Sequence, residues 1–181
     1  MSERKSYARK SSLLKVTASL LLMLAVISTS TVSVSAAQTL LASGSFMDTA
    51  VLGSSVTVVG TNAVYRQANA GFITGTLSGK YVTLVNLTLD LLTGNAVYSA
   101  IDICTCTVAG KSGTLYFYEQ GTINQFVTLS STATIEKGTG QLVNRQGTIA
   151  LQGLVYNQQG LTMGTYIGRV WLSTGSSSTN P

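Results

Sequence analysis

From about position 39 onward, apolar and polar residues alternate along nearly every stretch of this chain. In KYVTLVNLTLDLLTG the odd positions Tyr81, Val85, Leu87, Leu89 and Leu91 form an apolar face, with Asn86, Thr88 and Asp90 on the other. In FVTLSSTATIEKG, Val127, Leu129, Ala133 and Ile135 alternate with Thr128, Ser130, Thr132, Thr134 and Glu136. A period of two marks strands with one buried and one wet face. Glycine and asparagine breaks, taken as turns, predict eight or nine strands. They fall near 39–47, 55–66, 70–78, 80–93, 95–108, 113–123, 126–136, 148–155 and 161–172. Many strands at regular spacing make a sandwich or a closed barrel. Open sheets usually protect their edges with proline or inward charges. Here the strands are long and nearly uncharged, and the single proline is Pro181. Closure into an antiparallel barrel over 38–172 is therefore expected, with the polar tail 173–181 disordered.

The first 37 residues follow another pattern. Arg4, Lys5, Arg9, Lys10 and Lys15 precede an apolar run from Val16 to Ile27, and small residues lead to Ala36-Ala37. These are the parts of a secretory signal peptide cut after Ala36 or Ala37. The run is short for a membrane span of about 20 residues, so the membrane would be engaged only if this peptide stayed uncleaved. No cysteine stands at the junction to carry a lipid, and no arginine pair is present. The expected location is outside the cell or in its envelope.

Removing that peptide changes the charge. The whole chain carries +5. From Ala37 onward six basic residues face five acidic ones, leaving +1. The basic pI of 9.4 thus says nothing about nucleic acid, which needs a basic patch on the folded domain. Nucleic-acid binding is set aside.

Four stretches carry a family resemblance: ASGSF (Ala42 to Phe46), GFITGTLSGK (Gly71 to Lys80), NAVYSAID leading to VAGKSGTLYFYEQGT (Asn95 to Thr122), and EKGTGQLVNRQGTIAL (Glu136 to Leu151). In order and spacing the series resembles the bacterial domain-of-unknown-function family 3224. That family is similar in fold to the allene oxide cyclase and dirigent-type barrels. The resemblance implies an eight-stranded antiparallel barrel and assigns no reaction. In the wider fold, the lumen holds apolar small molecules and steers their cyclisation or coupling. Family members often carry a histidine before the glycine that Gly121 matches; this chain reads Tyr118-Glu119-Gln120-Gly121 and has no histidine. Gly138 and Gly140, on either side of Thr139, suit a tight turn with positive φ.

The lack of histidine removes Ser-His-Asp and Cys-His machinery and the commonest transition-metal ligand. Asp102, Cys104 and Cys106 could supply three zinc ligands at most, and alternate residues of a straight strand point in parallel. No metal and no cofactor is expected. A Cys104–Cys106 disulfide meets a similar obstacle, since i and i+2 lie roughly 6.5–7 Å apart against a Cβ separation of about 3.5–4.5 Å in a disulfide. A bulge at Thr105 would bring them together; otherwise they are two small apolar residues on a face with Tyr98, Ala100 and Asp102.

Glu119 alternates with Leu115, Phe117, Gly121 and Ile123 on an inward-facing pattern. Desolvation disfavours the charged form of a carboxylate facing a lumen, which is how a general acid or a ligand anchor arises. Otherwise it sits near a barrel mouth, wet and ordinary, or pairs with a cation, and Arg169, in alternation with Met163, Ile167 and Trp171, is the obvious one. Asp102 either joins a polar cluster with Tyr98 or caps a strand end, and with Glu119 it is the weak candidate for catalysis.

The leading expectation is a secreted barrel that binds a small apolar molecule without catalysis. Glu119 and Arg169 would orient the ligand, and Tyr98 and Trp171 would line the cavity. The alternatives are a cyclase or isomerase of the allene-oxide-cyclase type and a structural or adhesive envelope protein. Oligomeric state is left open.

Overall fold

The computed structural model describes residues 39–51, 55–156 and 160–172; the expected signal peptide and polar tail lie outside them. The strands are β1 (Leu40–Ala50), β2 (Ser55–Val59), β3 (Asn62–Gly75), β4 (Leu77–Asp90), β5 (Ala96–Val108), β6 (Lys111–Asn124), β7 (Thr128–Gly138), β8 (Arg145–Tyr156) and β9 (Leu161–Leu172). All pairings are antiparallel, in the order β1-β9-β8-β7-β6-β5-β4-β3, and β1 also pairs with β3. Eight strands therefore close on themselves, as the alternation and the family resemblance predict. Closure leaves β1 hydrogen-bonded on both sides, to β9 from Leu40↔Val170 to Thr49↔Leu161 and to β3 from Gly44↔Gly75 to Ala50↔Asn69. It removes the unpaired edge that these long, weakly charged strands would otherwise expose.

Two boundaries differ from expectation. The segment 55–66 is not one strand: a turn at Gly60–Thr61 folds β2 back onto the start of β3. The strand expected at 70–78 begins at Asn62 and ends at Gly75. Leu91 and Val127, assigned to apolar faces, are exposed beyond the ends of β4 and β7.

Inside, the barrel has a packed end and a hollow end. Ala42, Leu77, Val108, Leu115 and Val170 are completely buried where β1 and β4 begin and β5 and β9 finish. Leu142, from a short 3₁₀ turn (Gly140–Leu142), completes this floor. Gly140 has φ +61, as its place in a turn requires. Gly138 instead permits close approach, since a Cβ there would stand 1.9 Å from the Leu142 carbonyl oxygen. Tyr166 enters the floor with its hydroxyl satisfied: it accepts from the Leu77 N–H at 2.9 Å and lies 3.1 Å from the Thr74 carbonyl.

Candidate functional site

Beyond the floor the lumen opens into a cavity of about 590 Å³. Its side nearest the floor is walled by Phe46, Ile73, Cys104 and Phe117. Toward the other barrel end it is ringed by Leu87, Leu89, Ala96, Ile123, Leu129 and Val155, and reaches Phe126 and Gly160. Between these apolar zones lies a polar belt on the β1–β3–β4–β5–β6 side: Asp48, Gln67, Asn69, Tyr81, Thr83, Tyr98, Asp102 and Glu119. Strand parity puts each of them inside. Asp102 shares its face with Cys104 and Cys106, and Glu119 with Leu115 and Phe117, as read from the alternation.

Three carboxyls are thus buried in one lumen: Asp48 and Glu119 are 8% exposed and Asp102 is 9% exposed. Asn69 Nδ2 donates to Asp48 Oδ1 at 2.9 Å and the Tyr81 hydroxyl to Oδ2 at 2.7 Å. Gln67 Nε2 supports Asn69 through its Oδ1 at 3.1 Å. The Tyr98 hydroxyl donates to Glu119 Oε1 at 2.5 Å. Asp102 lies diagonally across the β5–β6 ladder from Glu119, on the same face, and among the described residues its Oδ1 is buried without a hydrogen-bond partner. Burial raises the Asp48 carboxyl, against the hydrogen bonds from Tyr81 and Asn69. Burial and the neighbouring Glu119 carboxyl hold Asp102 well above the usual carboxylate range. Two neighbouring carboxyls in an apolar surrounding do not readily ionise together, and Asp102 is the one pushed toward its neutral form. The Tyr81 and Tyr98 phenols are raised too, chiefly by burial and then by the carboxylate each one faces.

The expected site is only partly assembled. Tyr98, Glu119 and Asp102 come together in the lumen. Arg169 and Trp171 do not: they stand on the outer register of β9, whose inward positions are Thr162, Gly164, Tyr166, Gly168 and Val170. The apolar set Met163, Ile167 and Trp171 suggested the opposite parity. Yet Ile167 is 70% exposed, and the inward glycines lie against the β8 backbone, where a Cβ on Gly168 would be 2.2 Å from the Thr148 carbonyl oxygen. Arg169 therefore does not compensate Glu119, and among the described residues no lysine or arginine lines the cavity.

Asp48, Asn69 and Tyr81 complete a cluster of which the sequence reading placed only Tyr81 on an apolar face. Asp48 shares parity with Ala42 and Phe46 in ASGSFMD, a legible signal for an inward carboxylate. The two cysteines are buried free thiols. Pairing on both sides of Thr105 is regular, with no bulge to draw them together.

The family model "Protein of unknown function (DUF3224)" matches residues 42–161. A solved structure of a protein of unknown function from the DUF3224 family of Shewanella oneidensis MR-1 is similar, with a TM-score of 0.55 and 19% identity. The similarity covers 72% of this chain and 97% of that one, and at this identity it speaks for the fold alone. No curated protein matches the chain.

Proposed function

The chain belongs to the DUF3224 family of proteins of unknown function, and we propose that this member is a secreted barrel protein that binds a small, largely apolar molecule in its lumen without catalysis. The observation that carries this reading is the half-filled interior. A barrel of eight strands is able either to pack its lumen or to hold one small ligand. Here the floor is packed, and the remaining 590 Å³ lies within the usual range of small-molecule sites, roughly 300–1,000 Å³. Apolar walls with a few convergent polar groups are the usual composition of such sites. Tyr98, Asp102 and Glu119 would fix the ligand's orientation, and the leucines of the outer ring would cover its apolar part. The N-terminal sequence supports export.

Native mass spectrometry of the protein recovered from its culture medium tests this. A denatured mass beginning at residue 37 or 38 is expected, together with a native mass increment lost on denaturation. A bare native mass, even after incubation with lipids and phenolics, would contradict ligand binding.

A second reading is favoured by the placement of Asp102 and Glu119 as diagonal neighbours on the inner face of β5 and β6. A proton donor beside an acceptor in an apolar cavity suits a cyclase or isomerase. It requires a pH–rate profile that disappears in Glu119→Gln, and wild-type turnover in that variant would remove it.

A further inference from the structure

The charge balance of the lumen narrows the ligand, given the lumen-binding reading above. Among the described residues the cavity is lined by three carboxyls and by no basic side chain. Asp48 has a donor on each oxygen, from Asn69 and Tyr81. Glu119 accepts from Tyr98. Asp102 differs: it is more than nine-tenths buried and lines the cavity, yet among the described residues its Oδ1 has no hydrogen-bond partner. Asp102 and Glu119 are diagonal neighbours on one face of the β5–β6 ladder, and two adjacent carboxyls in an apolar surrounding ionise together only beside a compensating cation. A group that is both a hydrogen-bond donor and positively charged would satisfy the unpaired oxygen and permit that ionisation. A metal ion does not fit, because among the described residues no three Cys, Asp or Glu side chains are grouped to hold one. The walls beyond the pair are hydrocarbon: Leu87, Leu89, Ile123 and Leu129.

We propose that the lumen takes an apolar primary amine, its ammonium seated on Asp102 and Glu119 and its hydrocarbon part against the leucine ring. Charge-assisted hydrogen bonds to carboxylates are the stronger kind, and an alcohol of the same shape offers only a neutral one. On binding, the proton that keeps Asp102 neutral passes to solvent and the ammonium compensates the carboxylate left behind. Binding therefore weakens toward acid, where that proton is harder to displace. The titratable groups facing the pair are Asp48 of β1, Tyr65 of β3, Tyr81 of β4, and Tyr98 and Cys104 of β5. Asp48, itself raised by burial, adds to the negative field once ionised.

Calorimetric titration of the full-length chain with octylamine, octan-1-ol and octanoate at pH 8 tests the proposal. The amine is expected to bind at least tenfold tighter than the alcohol, with octanoate weakest. In Asp102→Asn the advantage of amine over alcohol should fall to within threefold. Equal affinities of amine and alcohol in the wild type would overturn the amine proposal while leaving lumen binding intact. Binding of none of the three would remove both. Should Asp102→Asn not fold, wild-type titrations with octylamine at pH 5 and pH 8 decide the matter, because a primary alkylamine with a pKa near that of lysine, about 10.4, is charged at both. Tighter binding at pH 8 is expected, and equal binding would overturn the proposal.

Discussion

At one end of the barrel Leu77, Val108, Leu115, Leu142 and Val170 are completely buried, whereas at the other Tyr65, Leu87 and Ile123 remain partly exposed around a cavity. The same strands build both ends, so strand number alone does not decide whether the lumen is full. Side-chain choice does. Along β5 the inward positions run from Val108 through Cys106, Cys104 and Asp102 to Ala100, Tyr98 and Ala96. They pass from tight apolar packing to small or polar groups. The floor also receives a side chain from outside the strands, Leu142 of the 3₁₀ turn. The polar belt marks the change of regime: its Asp48 and Glu119 carboxyls accept from two phenols and an amide rather than from cations.

If the floor is close-packed and the other end is not, equal truncations should cost unequally. Leu115→Ala is expected to lower stability by about 2–5 kcal/mol, from lost transfer energy and a new cavity. Leu89→Ala borders a cavity that already exists and should cost about 1–2 kcal/mol, close to the transfer part alone. Urea denaturation of both variants checks this, and equal losses would break the contrast.

The next largest effect concerns Gly121, opposite Tyr98 in the β5–β6 ladder. A Cβ there would stand 2.5 Å from the Ser131 Cβ and 2.8 Å from the Tyr98 ring. Gly121→Ala should therefore cost about 1–3 kcal/mol by overpacking and move Tyr98 off Glu119. Chemical denaturation and the Tyr98 ultraviolet signature report the two effects separately. At the floor, Tyr166→Phe deletes the acceptor of the buried Leu77 N–H, a loss of about 1–3 kcal/mol.

The smallest effect is a pH dependence. Burial and Glu119 raise Asp102 in the folded state, so the folded barrel binds this proton more tightly than the unfolded chain does. Stability then declines as pH rises from about 4, the ordinary carboxylate value, through the raised native pKa, and is level above it. Asp102→Asn should flatten that decline and melt higher than wild type at pH 8. A decline in the variant as steep as in the wild type would remove Asp102 as its source.

Most of the barrel was legible because inside and outside alternate with a period of two and most inward sets are also the more apolar. That is why Glu119, Asp102, Tyr98 and both cysteines were assigned to the right face. β9 defeats the rule. Its inward face carries glycines that pack on backbone, and its outer face carries Met163, Ile167 and Trp171, so apolarity pointed the wrong way and took Arg169 with it. Pairings between distant strands, such as the Asp48–Tyr81 contact across the β1–β3 closure, depend on register and are not written in any local pattern. Asp48 itself was legible from its parity with Phe46. The floor was not, because Leu142 reaches it from a turn.

The central claim is that the unpacked half of the lumen is a binding site. Titration of the wild type and Ala133→Phe with Nile red, a neutral apolar dye, tests it most directly. Ala133 lines the cavity and pairs with Glu119 across the β6–β7 ladder, so a phenyl ring there occupies the lumen itself. Saturable one-to-one binding by the wild type, lost in Ala133→Phe with the fold intact by circular dichroism, is the predicted result. Equal binding by the two proteins, or none by the wild type, would contradict it.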